Sequence, residues 1–338
     1  MKPISELRQD LVSGEWVLVS TGRAHRPHSE ASSAELPAPG ARAECPFENP
    51  QASGNPEPIV WRAREQERAS DARDRWFVQV IPNKYPAVFV HEKNICAGSY
   101  TRGPYAVMDG IGYHEVIITR DHGRSLGVMN NEEVKLVLGI YRARYLALKE
   151  DPCIAYILIF HNHGVAAGAS LAHPHSQLVA LPIVPPDISQ SFAGSARFYK
   201  THGVCVHCRM IEEELKIRRR VVYENDAFVV FAPYASHTTY ELRIYPKTHE
   251  AHFETITDGD ARLCADALAT ALGKIYRALA NPPYNFFIHT APVGNGKAHY
   301  HWHVEILPKL SVPAGLELGT GVDVVVVAPE DVPQLLSV

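Results

Sequence analysis

Nowhere in the 338 residues do about 18 apolar side chains follow one another, so no segment reads as a helix that crosses a bilayer. The opening, MKPISELRQD, lacks the apolar stretch of a secretory leader, and a cytoplasmic protein is expected. An excess of positive charge is missing too. The 33 Lys and Arg stand against 37 Asp and Glu, leaving a net charge of −4 and no footprint for non-specific nucleic acid binding. Neither membrane nor nucleic acid is expected as a partner, and any phosphate-bearing ligand must be held by local groups. Only six cysteines are present. In a reducing compartment the C-x-x-C pair Cys205 and Cys208 is expected to bind metal or to act as a redox couple rather than to form a structural disulfide.

What the chain has in plenty is apolar residues, at 46%, and histidine, at 18. The first fills a core. The second makes chance clusters common, so only patterned histidines carry weight. Strands are expected at GEWVLVS (14–20), WFVQVIPN (76–83), HEVIITR (114–120), AYILIFHN and SQLVALP, and a helix at 130–151 with an Asn start and an acidic first turn. Residues 28–75, rich in Ala, Pro, Ser and Gly, read as a long loop or arm, and 186–220 as irregular until the helical RMIEEELKIRRR. The order then repeats: VVYENDAFVVFAPY and YELRIYPK as strands, 258–280 as a helix, YNFFIHTA and WHVEILP as strands. Histidine spacing supports a duplication. His122 and His173 are 51 apart, His249 and His301 are 52 apart, and His161 to His173 and His289 to His301 both span 12. The expected fold is therefore α+β, two tandem β-β-α-β-β units with antiparallel sheet, divided as 1–185 and 186–338.

Zinc takes four Cys, His or carboxylate ligands in a tetrahedron, and Cys205, Cys208, His249 and His301 supply such a set in the second half. The matching set in the first half is Cys45, Glu48, His122 and His173, with a carboxylate where a second thiol would complete C-x-x-C. Either Glu48 is a ligand or it is a solvated side chain beside an incomplete site. In AHPHSQLVALP (172–182), His173, His175 and Gln177 alternate along an extended segment and so project from one surface. With His173 tied to a metal, His175 is the free imidazole. A neutral imidazole attacks phosphorus and forms a labile phosphoramidate, provided its other nitrogen donates to a backbone carbonyl. Gln177 can donate an amide hydrogen to a phosphoryl oxygen without supplying a proton. In the second half Glu305 stands where a Gln would follow His301 and His303, so that half is expected to be structural.

His-x-His-x-Gln resembles the histidine-triad superfamily, in the branch of the galactose-1-phosphate uridylyltransferase family. RQDLVSGEWVLVSTGRAHRP (8–27) resembles that family's opening, FHNHGVAAGASLAHPHSQ (160–177) its active-site segment and HYHWHVEILPKL (299–310) its second-half triad. The second-half C-x-x-C, NPPYNFFIHTAP and GLELGTG look especially like the branch that includes plant-type ADP-glucose phosphorylase. The resemblance implies a nucleotidyl-accepting nucleophile at His175 and a stabilising amide at Gln177. It implies phosphate contacts at Asn162 and Ser170, basic residues near the sugar phosphate at Arg23 and Arg26, a nucleoside contact at Asn83 and a sugar-hydroxyl contact at Glu317. It also implies zinc at one or both Cys/His sets, and a homodimer to which the arm at 28–75 contributes.

The expected function is nucleotidyl transfer between a sugar nucleotide and a hexose 1-phosphate, of the uridylyltransferase type, through a covalent nucleotidyl-histidine. The alternative within the class is ADP-glucose phosphorylase, passing adenylyl to phosphate. The alternative outside it is a zinc-stabilised nucleotide-binding module without turnover.

Overall fold

The computed structural model describes residues 5–25, 42–64, 75–90, 96, 98–295 and 298–337. The chain opens with an antiparallel hairpin, β1 (Ser5–Gln9) and β2 (Trp16–Ser20). Then come β3 (Val60–Ala63), β4 (Trp76–Pro82), a separate small hairpin of β5 (Ser99–Arg102) and β6 (Tyr105–Met108), and β7 (Tyr113–Thr119). Helix α1 (Asn131–Leu148), β8 (Tyr156–His163) and β9 (His175–Leu181) complete the first half. The second half holds α2 (Pro186–His202), α3 (Val206–Ile217), β10 (Val221–Glu224), β11 (Phe228–Phe231), β12 (Leu242–Pro246), α4 (Asp258–Ala278), β13 (Tyr284–His289) and β14 (His303–Pro308). Helix α5 (Gly315–Thr320), β15 (Asp323–Val325) and α6 (Val332–Leu335) end it.

Ten strands form one sheet in the order β10-β11-β12-β14-β13-β8-β9-β7-β4-β3, every neighbouring pair antiparallel. Read from either edge inward the two halves have the same connectivity, and they meet at β8 and β13, where Phe160 faces Phe287. The expected β-β-α-β-β unit is present twice, as β4-β7-α1-β8-β9 and β11-β12-α4-β13-β14. Each carries one further outer strand, β3 or β10. The part of 28–75 that is described is thus not all loop, because Val60–Ala63 pairs with β4 at the sheet edge. Residues 186–202, expected to be irregular, are α2. VVYENDAFVVF is two strands, because Asn225 Oδ1 accepts from the backbone N–H groups of Ala227 and Phe228 and turns the chain between them.

Helices α1 and α4 lie together against one face of the sheet. Their apolar residues, among them Val134, Tyr141, Leu268 and Leu272, share one core with Ile157 and Ile159 of β8 and Phe286 and Ile288 of β13. Each such side chain, fully buried, stabilises by roughly 1.5–3 kcal/mol. The start of α1 is a capping box: Asn130 Oδ1 accepts from Glu133 N–H and Glu133 Oε2 from Asn130 N–H. The register also corrects one equivalence drawn from histidine spacing. Phe160 faces Gln177 on β9 and Phe287 faces Glu305 on β14, so Asn162 occupies the place of His289, and Ile288 that of His161. His161 points into the core, where its Nδ1 meets Ser176 Oγ at 2.9 Å and its ring stacks on Phe286. One residue more between β13 and β14 than between β8 and β9 produced the equal count.

A small second sheet, β1-β2-β15, has β15 parallel to β2, so the beginning of the chain is joined to its end. Helix α2 presses on this hairpin at Gly194, where a Cβ would lie 1.8 Å from the Val12 carbonyl oxygen. Arg8 and Arg220 both bind Glu330. Cys96 is disulfide-linked to Cys153, just beyond α1. Among the described residues no helix is long and apolar enough to cross a membrane.

His237 Nδ1 donates to Asp323 of β15 at 2.8 Å. Burial disfavours the imidazolium, but Asp323 and then Glu241 more than offset it, and its pKa is raised to about 9. A pKa raised on folding adds stability that is fully present below the ordinary value of 6.5 and is lost as pH climbs through about 9. Unfolding free energy is therefore expected to fall between pH 7 and pH 10 by more in the native protein than in Asp323→Asn, measured by denaturant titration at each pH. An equal fall in both proteins would show that the pair does not clasp β15.

Candidate active site

Strand β9 lies inside the sheet between β7 and β8, so its two faces are sorted by alternation. Ser176, Leu178 and Ala180 turn to the core beneath α1, and Tyr141 of α1 hydrogen-bonds Ser176. His175 and Gln177 turn to the opposite face. Pairing with β7 sets Val116 opposite Gln177 and brings His114 onto the same face, two residues before it. The connection from β8 to β9 makes a tight turn through Val165–Ala167 between Gly164 and Gly168, whose φ angles of 83° and 85° favour glycine.

His175 Nδ1 donates to the carbonyl oxygen of His173, 2.9 Å away. A carbonyl can only accept, so the ring proton is on Nδ1 and the lone pair is on Nε2. Burial lowers the pKa of His175 below the ordinary value, so the imidazole is neutral at pH 7. The ring borders a cavity of about 360 Å³ shared with Gln177, Ser170, Asn83 and Phe47. Phe47 sets its edge against the imidazole, with ring centroids 5.2 Å apart. This combination, a buried neutral imidazole with one nitrogen fixed and the other free beside an amide, suits nucleophilic attack on an electrophilic phosphorus.

The residues beside this ring converge as metal ligands would. His173 Nε2 donates to the Thr119 carbonyl at 2.6 Å, which leaves its Nδ1 as an acceptor 3.6 Å from Cys45 Sγ and 3.2 Å from His122 Nδ1. Ligand atoms of Cys45, His122 and His173 all lie within 4.8 Å of one another. Glu48 Oε1 accepts from Arg42, while Oε2 is 3.4 Å from His122 Nδ1 and 4.0 Å from His173 Nδ1, buried and without a hydrogen-bond partner. A buried carboxylate oxygen without a hydrogen-bond partner, facing two imidazoles, fits a cation, although Glu48 is not among the three residues whose ligand atoms all lie within 4.8 Å of one another.

The second half repeats the design. Cys205, Cys208, His249 and His301 present ligand atoms within 4.8 Å of one another. His301 Nε2 donates to the Pro246 carbonyl at 2.9 Å, as His173 does to Thr119, and His303 Nδ1 donates to the His301 carbonyl at 3.1 Å, as His175 does to His173. Cys208 pushes the Cys205 thiol pKa down while its own is pushed up. The difference lies in what faces the imidazole. His303 Nε2 is 3.3 Å from Glu305, and Glu305 pairs with Arg243 at 3.1 Å. Burial opposes the Glu305 charge, but Arg243 holds its pKa well below the carboxylate range. An anion stands where the first half has an amide.

The expected site residues do not all gather. Asn83, Ser170, His175 and Gln177 line one cavity. Asn162 is on the same face of β8, its Oδ1 accepting from Asn285 Nδ2 at 2.8 Å. Arg23 is exposed in the 3-10 turn Thr21–His25, and Arg26 lies outside the described residues. Glu317 caps its own helix α5, accepting from Ala314 N–H, and lines a different cavity of about 590 Å³ on the second half, with Glu305 and His289. Sequence reasoning missed His114 and Phe47. The signal for His114 is its period-two spacing from Val116 on a strand, and for Phe47 its place between Cys45 and Glu48.

Residues 2–185 match the family model described as galactose-1-phosphate uridyl transferase, N-terminal domain, and residues 100–337 match a domain of unknown function, DUF4921. An ADP-glucose phosphorylase of Arabidopsis thaliana is 34% identical over 342 residues, covering 98% of this chain and 92% of that protein. A galactose-1-phosphate uridylyltransferase of Thermotoga maritima is 26% identical, covering 96% of each. The crystal structure of an Arabidopsis thaliana ADP-glucose phosphorylase with bound ADP-glucose superposes with a TM-score of 0.82 at 31% identity over 98% of both chains. With more than half its length matched by the family model and a relative above 30% identity along nearly all of it, the chain belongs to the galactose-1-phosphate uridyl transferase family.

Proposed function

We propose that the protein is a nucleotidyltransferase that works by double displacement through His175. The observation that carries this reading is the hydrogen bond from His175 Nδ1 to the His173 carbonyl, which leaves Nε2 unprotonated at the cavity. In the first half-reaction the Nε2 lone pair attacks the α-phosphorus of a sugar nucleotide. A nitrogen–phosphorus bond forms, the bond from that phosphorus to the bridging oxygen breaks, and hexose 1-phosphate leaves with the electron pair. In the second, an oxygen of a phosphate-bearing acceptor displaces His175. Gln177 donates to a non-bridging oxygen as charge builds, and Asn83, Ser170 and Asn162 hold nucleoside and phosphates. The fold unit 1–185 carries this chemistry, while 186–338 is structural around its own metal.

Two members of the class fit: a hexose-1-phosphate uridylyltransferase and an ADP-glucose phosphorylase whose acceptor is phosphate. Greater identity to the plant phosphorylase along nearly the whole chain favours adenylyl transfer. Zinc is the metal that suits Cys205, Cys208, His249 and His301, and Cys45, Glu48, His122 and His173; when bound, it fixes His173 and His301 and contributes folding energy. In a homodimer, Glu317, which lines a different cavity from His175, and Arg23 and Arg26, the basic residues that the family resemblance implies, would serve a partner's site.

Intact-protein mass after mixing with ADP-glucose or UDP-glucose, quenched at alkaline pH, is expected to rise by AMP or UMP respectively, and the nucleotide that adds identifies the base. His175→Ala should lose the adduct and slow turnover by roughly 10⁴-fold or more while keeping its fold; undiminished turnover in that variant would sink the mechanism. Because burial lowers the His175 pKa, the rate of adduct formation is expected to stay flat from pH 8 down through the ordinary histidine value of 6.5 and to fall only below it. A midpoint above 6.5 would contradict a neutral buried nucleophile.

Two zinc ions per chain are expected by elemental analysis. Cys208→Ser should lose one and lower Tm by on the order of 5–10 °C, and Glu48→Ala should lose the other. Retention of both ions in Glu48→Ala would show that Glu48 is not a ligand.

A further inference from the structure

We infer that His114 is a positioning residue that fixes which end of the Gln177 carboxamide meets the transferred phosphoryl group; the inference rests on the nucleotidyl-transfer reading above. The backbone N–H of Ala87 donates to His114 Nδ1 at 3.0 Å. A backbone N–H can only donate, so Nδ1 carries the lone pair and the ring proton is on Nε2. His114 Nε2 lies 2.8 Å from Gln177 Oε1 and therefore donates to it. With the carbonyl end of Gln177 held, its NH₂ end is left for the cavity, and an amide oxygen is kept from facing a phosphoryl oxygen.

Asn83 lies beside the same ring. Its Nδ2 lies 3.1 Å from the same His114 Nε2, but its Oδ1 accepts from Tyr85 N–H at 2.8 Å. Nδ2 of Asn83 is itself a donor, so with the ring proton on Nε2 the 3.1 Å contact is donor against donor and is no hydrogen bond; Asn83 offers no acceptor that competes with Gln177 for that proton. Two backbone N–H groups of one loop, Tyr85 and Ala87, decide the orientation of Asn83, His114 and, through His114, Gln177.

The second half supplies the internal comparison. Arg243 faces Glu305 as Val116 faces Gln177, so Glu241, two residues before Arg243, stands in the place of His114. There Arg243 takes over the anchoring, 2.9 Å from Glu241 Oε1 and 3.1 Å from Glu305 Oε1. Where position 305 is a carboxylate, both oxygens are alike and orientation has no meaning. Where position 177 is an amide, its two ends differ, and a donor of fixed tautomer stands next to it.

The test is a double-mutant cycle on the rate of nucleotidyl-enzyme formation with saturating ADP-glucose or UDP-glucose. His114→Phe is expected to slow the step about tenfold and Gln177→Ala about a hundredfold, with little change in half-saturating concentration. The double variant should be no slower than Gln177→Ala within about twofold, because His114 acts only through that amide. His114→Gln, which can place an N–H near the ring Nε2 position, should recover most of the rate. Multiplication of the two single effects, or a native rate in His114→Phe, overturns the assignment. Nitrogen-15 spectra of histidine-labelled native protein give an independent reading: the His114 resonance should report the Nε2–H tautomer at neutral pH and shift in Gln177→Ala. An Nδ1–H or doubly protonated ring overturns the positioning role. If no adduct forms with either sugar nucleotide while the Nε2–H tautomer is observed, it is the nucleotidyl-transfer reading that falls.

Discussion

The hydrogen bond between His175 Nδ1 and the carbonyl of His173 spans two residues, yet much of the molecule is arranged around it. The carbonyl is fixed only if His173 is fixed. That imidazole is anchored at one nitrogen by Thr119 on β7 and faces Cys45, His122 and Glu48 with the other. The intervening Pro174 has no N–H to offer and accepts instead, from the Thr119 side chain. A Cys/His cluster, a strand start and the imidazole of His175 are thereby joined in one short segment. Burial lowers the proton affinity of this imidazole by more than the bond to the His173 carbonyl raises it, and the ring stays neutral with its tautomer fixed.

The duplicated half shows which parts of this arrangement the two halves share and which differ. The Cys/His group, the imidazole-to-carbonyl bond and the second histidine are all retained there. What changes is the electrostatics in front of the ring: Glu241, Arg243 and Glu305 stand where the first half has His114, Val116 and Gln177. A buried ion cluster of this kind is held by mutual compensation, and removal of one member would strand the others. The same backbone supports a cavity of about 360 Å³ beside an amide in the first half and one of about 590 Å³ beside a buried ion cluster in the second. One fold unit thus carries two differently lined sites within a single chain.

Much of this was legible in the sequence, for reasons that can be named. Helix α1 announced itself through Asn130 and Glu133 because a capping box is local in the chain. The His173, His175 and Gln177 pattern was readable because period-two alternation is also local. Helix α2 was not: it opens on Pro185 and Pro186 and buries only Ile188, Gly194 and Ser195, too few apolar residues to show a period. β15 is three residues long and has meaning only because β2 lies beside it. The false equivalence of His161 and His289 came from counting along a chain in which one inserted residue changes the face. His114 lies 63 positions from Gln177, and only the β7–β9 register brings them together.

The seam of the sheet, where Phe160 of β8 faces Phe287 of β13, has a consequence for what either half can be alone. Fusion of the halves uses up the inner edge of each. Separated, residues 60–181 would leave the backbone groups of β8 bare along one side, with a hydrophobic row ready to receive a strand. A second copy of β8 pairing about Phe160 would reproduce the antiparallel arrangement that β13 now provides. The single chain can thus be seen as a tethered pair, in which covalent linkage guarantees that each open half meets its unlike sibling instead of its twin.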